Sequence, residues 1–399
     1  MSQDATASGR MRLLIRVSPI LLLLVSCPTP PVELLVVRDS GAVHARPDLE
    51  RRLRADLYAF FRFTNREFAQ RVCAAFSERR MPDVNLHGDA HLEQYAITGS
   101  GQGLADYDDA ASGPAVLDLV RFGVSLRLMG TLEGWSTDHA LDEFLRGYRE
   151  GLSETIERVP SPSIADRIRR SLGTDRNEFL AYVDGMMEPV DDDAEGPLRA
   201  GLRAYVQSMK DQNPTLSEHF FDMRAFGRHR GGLGSSLDKK FLLRLEGQTP
   251  DADDDVVLEV KEVRDMSGVS CVHRGFGAFS IVVSQRNIGR MSPRFLAQVP
   301  EVPETPPNTR PFWVHEWISD YHELQRGDVR TEVELDEIAF DVGVQLGEGH
   351  VRGVGGPSHV RRRREQEALM DDLNEPVRQA IDELTRLVVR SWEAYARNE

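Results

Sequence analysis

Leu86-His87-Gly88-Asp89-Ala90-His91-Leu92-Glu93-Gln94, followed by Leu104-Ala105-Asp106-Tyr107-Asp108-Asp109, is the most polar motif of the chain. Short strand-like pieces bracket it, at Val84-Asn85-Leu86 and Gly103-Leu104-Ala105, and Gly99 and Gly101 suit a tight turn between extended segments. The carboxylates and imidazoles therefore fall on loops, not on a helix face. Phosphoryl transfer needs one carboxylate to orient an attacking hydroxyl and separate oxygen ligands to hold magnesium against the phosphates. Asp89 and Asp106 can divide those two roles.

Working outward, apolar residues recur at helical spacing from about Asp48 to Ser77, with Leu53, Leu57, Phe60, Phe61, Phe68 and Val72 on one side. The helical period returns from Val116 to Arg158, with Ser136 or Thr137 as an N-cap after Gly134-Trp135, and two helices in a hairpin fit it. Residues 161 to 220 also read as helical, interrupted by the acidic loop Asp191, Asp192, Asp193 and Glu195. At Phe226 the pattern changes to antiparallel strands: Lys240 to Leu245, Val256 to Lys261, and Phe312 to Trp317 beyond a Pro-rich loop. The Gln248 to Asp255 segment is an exposed turn. Val377, Ile381, Leu384, Val388, Trp392 and Tyr395 end the chain in an amphipathic helix. The fold class expected is α+β.

The strand region opens on Gly231-Gly232-Leu233-Gly234-Ser235, a glycine-rich turn. A turn of this kind lets backbone N–H groups approach phosphates, and Lys261, on the next strand but one, can reach the same phosphates. Glu259 shares the strand face of Lys261 by the period of two, whereas Glu262 points to the other face.

His87-Gly88-Asp89-x-His91-x-x-Gln94 resembles the catalytic loop His-Gly-Asp-x-His-x-x-Asn of aminoglycoside and small-molecule kinases, and Asp106 matches their metal-binding aspartate. Phe60 to Leu126, with Gly113-Pro114 and Asp118-Leu119, is similar to the bacterial family called domain of unknown function 2252. The resemblance implies a protein-kinase-like two-lobe fold: a helical large lobe and a small antiparallel-sheet lobe. It also implies ATP and Mg2+ as cofactors, with Asp89 and His87 catalytic, Asp106 and Gln94 at the metal, and Gly231, Gly232, Gly234, Ser235 and Lys261 on the nucleotide. Ordinary kinases place the glycine-rich lobe before the catalytic loop; here it follows, which reads as a circular permutation. Two departures stand out. Gln94 occupies the family's asparagine position with one methylene more, and Gly289 falls in the segment, Gln285 to Met291, where a helix glutamate would pair with Lys261. Glu259 is the local substitute.

The expected division is residues 1–27 as a lipoprotein-type signal segment, 28–47 as a linker, and 48–220 as the helical lobe with the catalytic loop. Residues 221–325 form the sheet lobe and 326–399 return to the large lobe. The signal reading rests on Arg10, Arg12 and Arg16 before an apolar run that ends Leu24-Val25-Ser26-Cys27. That run is too short to span a bilayer, and its end resembles a lipobox, so membrane anchoring would be through a Cys27 lipid in the cell envelope. A net charge of -15 excludes a bulk basic field for nucleic acid. Cys73 and Cys271 read as ordinary buried thiols. Three functions compete: an ATP-dependent phosphotransferase on an unknown hydroxyl acceptor, a pseudokinase that binds nucleotide or scaffolds without turnover, and a metal-dependent hydrolase using Asp89, His91, Asp106 and Asp108.

Overall fold

The computed structural model describes residues 33–38, 40–153, 159–173, 175–190, 196–229, 231, 233, 236–264, 266, 268–273, 278–291, 293–301, 310–353 and 357–397. The signal segment with Cys27, the acidic loop at 191–195, and Gly232, Gly234 and Ser235 lie outside them.

The fold is α+β. Four short helices open it: α1 (Ser40–His44), α2 (Pro47–Ala55), α3 (Leu57–Phe63) and α4 (Asn65–Ala75). The single helix expected over Asp48 to Ser77 is therefore broken. Asp56 is extended, with φ -129° and ψ 111°, and its carboxylate accepts the Tyr58 N–H at 2.9 Å, so it caps α3 instead of continuing α2. Next come β1 (Asp83–Leu86), β2 (Tyr95–Thr98), β3 (Gln102–Leu104) and β4 (Ala111–Pro114). β1 pairs with β4, and β2 with β3 around the Gly99–Gly101 turn. The helical hairpin follows as α5 (Val116–Glu133) and α6 (Asp138–Leu152), turned by Gly134 at φ 72°, a left-handed helix end that glycine adopts without steric cost.

Beyond α7 (Ser163–Arg169), helices α8 (Arg176–Met186) and α9 (Gly196–Gln212) lead into β5 (Met223–Arg228), β6 (Lys240–Leu245) and β7 (Val256–Glu262). After α10 (Ala278–Ile288) come β8 (Ala297–Gln298), β9 (Phe312–Glu316) and β10 (Tyr321–Glu323). The chain ends in α11 (Glu332–Val351) and α12 (Pro357–Arg397). An antiparallel sheet runs in the order β5-β6-β7-β9-β8, while β10 pairs with β2 beside the His87–Gln94 segment.

Packing decides which face of that sheet is free. Phe241, Leu243, Val256, Leu258, Val260 and Val314 bury one face against Leu198, Leu202 and Tyr205 of α9. On the other face, Leu180 and Val183 of α8 cover only Leu242 and Val257. The rest of that face, with Lys240, Glu259, Lys261 and His315, is left to line a cleft. Helices α8 and α9 thus pack on the sheet, although their sequence places them in the helical stretch 48–220: an amphipathic pattern shows that a face is buried but not which partner buries it.

The large core gathers α3 to α6 with α11 and α12. Helices α6 and α11 touch backbone to backbone, because Gly147 and Gly151 face the carbonyls of Phe340 and Val344, and Gly343 and Gly347 face those of Phe144 and Tyr148. One further contact corrects the sequence reading. Cys73 of α4 and Cys271, after β7, are joined by a disulfide. The added methyl of Gly343→Ala would collide with the Phe144 carbonyl, so this variant should lose about 1–3 kcal/mol of stability. Gly185→Ala, in α8 with open space around it, should instead gain about 0.5–1 kcal/mol. Thermal or urea denaturation of the two variants checks the pair.

Candidate functional site

The catalytic-loop motif is held by a buried carboxylate. Asp118, in the first turn of α5, accepts the backbone N–H of His87 at 2.7 Å and of Gly88 at 2.9 Å. His350 of α11 donates its Nε2–H to the same carboxylate at 3.1 Å, its Nδ1 accepting from the Tyr148 hydroxyl. Burial alone would raise the Asp118 pKa, but His350, His87 and the Gly88 N–H outweigh it and hold it below the usual value. Gly88 has φ 84°, and a Cβ there would meet the Asp109 carbonyl, so only glycine fits. His87 donates Nε2–H to the Ala105 carbonyl at 2.8 Å and accepts the Asp89 N–H on Nδ1 at 3.3 Å. Both ring nitrogens are thus spent on backbone, and burial keeps the ring neutral. In the structure His87, expected to be catalytic, has both ring nitrogens engaged by the backbone of Ala105 and Asp89.

Asp89 is 4% exposed and paired with Arg121 of α5, whose Nε donates to Oδ1 at 2.9 Å. The guanidinium also donates to the Phe61 carbonyl and lies over the Phe61 ring, 3.6 Å from its centroid. Burial pushes the Asp89 carboxyl up to about 7 against the pull of Arg121, with Asp109 adding to the rise. His91 Nε2 lies 3.7 Å from the other carboxylate oxygen, and burial depresses its pKa strongly.

Opposite stands the sheet. Lys261 of β7 places Nζ 2.8 Å from Asp106 Oδ1, 3.2 Å from Asp108 and 3.7 Å from Glu259. Burial works against the ammonium, but those three carboxylates hold its pKa well above normal. Asp106 overcomes its own burial through Lys261 and Lys240 and titrates well below the usual range. Its backbone sits at φ 56°, an unusual conformation for a residue other than glycine. Asp108, buried beside Asp106, is pushed up to about 7. Gln94 Nε2 donates to Asp106 Oδ2 at 3.3 Å, while its buried Oε1 has no hydrogen-bond partner among the described residues. Among the described residues no set of three His, Cys, Asp or Glu side chains has metal-ligand spacing.

Asp89, Gln94, Asp106 and Lys261 line one cavity of about 160 Å³ together with Lys240, Glu259 and Arg264. A second cavity of about 350 Å³ shares Asp106, Glu259 and Lys261 with it and continues between Trp313, His315, Trp317 and Tyr107. Of the glycine-rich turn, Gly231 is described; it lies against the His229 ring.

Residues 45–182 match the family model of domain of unknown function 2252, described as an uncharacterized protein conserved in bacteria. No curated protein and no solved structure matches. The domain of unknown function 2252 match spans Asp89, Gln94, Asp106, Asp118 and Arg121 and ends before the sheet. Lys240, Arg264 and Arg121 were not singled out in the sequence as site residues. Lys240 carried a usable signal: β6 and β7 alternate with the same phase, so a hairpin register that faces Lys261 to the cleft faces Lys240 there too.

The pH response of Asp89 follows from its raised pKa. The folded state holds this proton from about pH 4, where an unfolded aspartate releases it, up to about 7, so the associated stability is complete below that window and lost as pH rises through it. The unfolding free energy of the wild type, relative to Asp89→Asn, should fall by up to about 1.4 kcal/mol per pH unit between those limits. Urea denaturation at stepped pH measures it, and a flat difference removes the assignment.

Proposed function

We propose that this chain is a kinase-like, ATP-dependent phosphotransferase acting on a hydroxyl acceptor, with a protein-kinase-like pair of lobes in circularly permuted order. The observation that carries the reading is the 2.8 Å contact between Lys261 of the sheet and Asp106 of the loop hairpin, in a cavity that Asp89 also lines. Strand, loop aspartate and catalytic-loop aspartate converge as phosphoryl transfer requires, though the sheet comes later in the chain.

In this reading Asp89 orients the acceptor hydroxyl and takes its proton; a carboxyl near 7 is well matched to that task at neutral pH. Lys261 binds phosphate, and the Gly231 carbonyl accepts from the Lys240 ammonium on the neighbouring strand. The flat side chains of Trp313, His315 and Trp317 line the larger cavity, which suits a purine ring. In this reading the Asp106 carboxylate would hold magnesium, joined by Gln94 Oε1 once the Gln94 amide, whose nitrogen now donates to Asp106, is turned over; phosphate oxygens and water would complete the shell. Bound there, the ion would supply positive charge against the phosphates.

The Cys73–Cys271 bond favours a second reading. Disulfides persist in oxidising compartments, and beyond the inner membrane ATP is scarce, which suits a nucleotide binder or scaffold without turnover and a cell-envelope location. The firm hold of Arg121 on Asp89 points the same way.

Mutant kinetics separate the two. Asp89→Asn should lower turnover by about 10² to 10⁴ while ATP–magnesium affinity stays within about twofold. Lys261→Ala and Asp106→Ala should weaken binding by about tenfold or more. Binding by calorimetry with turnover unchanged in Asp89→Asn would leave the binder reading standing. Gln94→Asn then reports on the metal site: a gain of turnover over the parent marks the extra methylene as the defect.

A further inference from the structure

Lys240 opens β6 directly opposite Lys261 of β7, and both ammoniums face the cleft. Like charges directly opposite on one sheet face repel, and both side chains are buried, at 4% and 5% exposure, where an ammonium is costly to desolvate. Lys261 answers this cost with three carboxylates. Lys240 feels the charge of Asp106, Asp108 and Glu259 only from beyond ion-pair distance, and its Nζ donates to a neutral acceptor, the Gly231 carbonyl at 3.1 Å. Among the described residues, two of its three donors are left for a ligand. Arg264 enters the same cavity from the segment after β7 and adds positive charge beside its pairing with Asp109.

We infer that Lys240 is a second phosphate-binding lysine, forming with Lys261 a paired seat for the anionic tail of a polyphosphate. The ligand class is then a nucleoside di- or triphosphate, not a nucleoside or a monophosphate; this rests on the nucleotide reading above. A single lysine suffices to hold one phosphate. Two opposed across neighbouring strands present charge along a line, and each added phosphate group of the tail gains a partner. Lys240 also bonds the Gly231 carbonyl, so a phosphate arriving at this ammonium lies beside Gly231.

Isothermal titration of the full-length chain with adenosine, AMP, ATP and tripolyphosphate, each with magnesium, tests the seat. Wild type should tighten from adenosine to AMP to ATP, and tripolyphosphate should compete with ATP. Lys240→Met should lose about ten- to hundredfold for ATP and tripolyphosphate and less than about threefold for adenosine. Lys240→Gln keeps a donor for the Gly231 carbonyl but no charge, and it should lose ATP affinity to the same extent. Wild-type ATP affinity in Lys240→Gln would reduce Lys240 to a tether and overturn the inference. So would a wild type that binds ATP no tighter than AMP, whatever the variants do. Binding of tripolyphosphate without any nucleoside leaves the lysine seat intact and removes the nucleotide reading; no binding of any of the four removes both.

Discussion

The carboxylate of Asp118 holds three elements at one point. It takes two consecutive backbone N–H groups, of His87 and Gly88, and the imidazole of His350, so the end of β1, α5 and α11 meet on two oxygen atoms. A buried carboxylate is stable only when its lone pairs are used, and here they are used by groups that have no other partner in a protein interior. The geometry downstream follows from it. With the His87 and Gly88 amides pinned, the chain must turn through the left-handed conformation at Gly88, which brings the Asp89 side chain back toward Arg121. That in turn sets which Asp89 oxygen is clamped and which is left toward His91.

The cleft separates four carboxyl groups into two kinds. Asp106 and Glu259 lie close to lysine charge and stay ionised, whereas Asp89 and Asp108 have burial and neighbouring acids raising them to about neutrality. Such a split is what one pocket needs to run ligand binding and proton transfer side by side. It depends on the sheet face being half covered. Helix α8 shields Leu242 and Val257 and stops there, and the row beyond it, from Lys240 through Lys261 to Trp313, is where charge and flat rings can face a ligand.

Much of this was legible in residues 86 to 109, because loops rich in aspartate and histidine have few structural uses, and the Gly99–Gly101 turn announced itself by composition. The period of two in β7 also put Glu259 beside Lys261, as found at 3.7 Å, although Asp106 and Asp108 stand nearer. What stayed hidden depends on pairing across distance. Asp118 was legible only as part of a family motif, without its partners, Arg121 sits inside a helix pattern that explains it without a site, and the break at Asp56 is a cap that competes with helix continuation by a single hydrogen bond. Cys73 and Cys271, 198 residues apart, give no local sign that they meet.

That covalent tie has a topological consequence. Asp89, Gln94, Asp106, His229, Lys240, Glu259, Lys261 and Arg264 all fall between its two cysteines, so these residues of both walls belong to one closed ring of chain, while α11, α12 and β9, whose Trp313 and His315 also line the cleft, lie outside it. A ring confines its own segments. If either wall loosens, its residues remain within a bounded volume around the other, and the effective concentration at which the walls find each other again is set by the length of the ring and not by the free ends of the molecule. The tie thus keeps these residues in register by a means that owes nothing to their order along the chain.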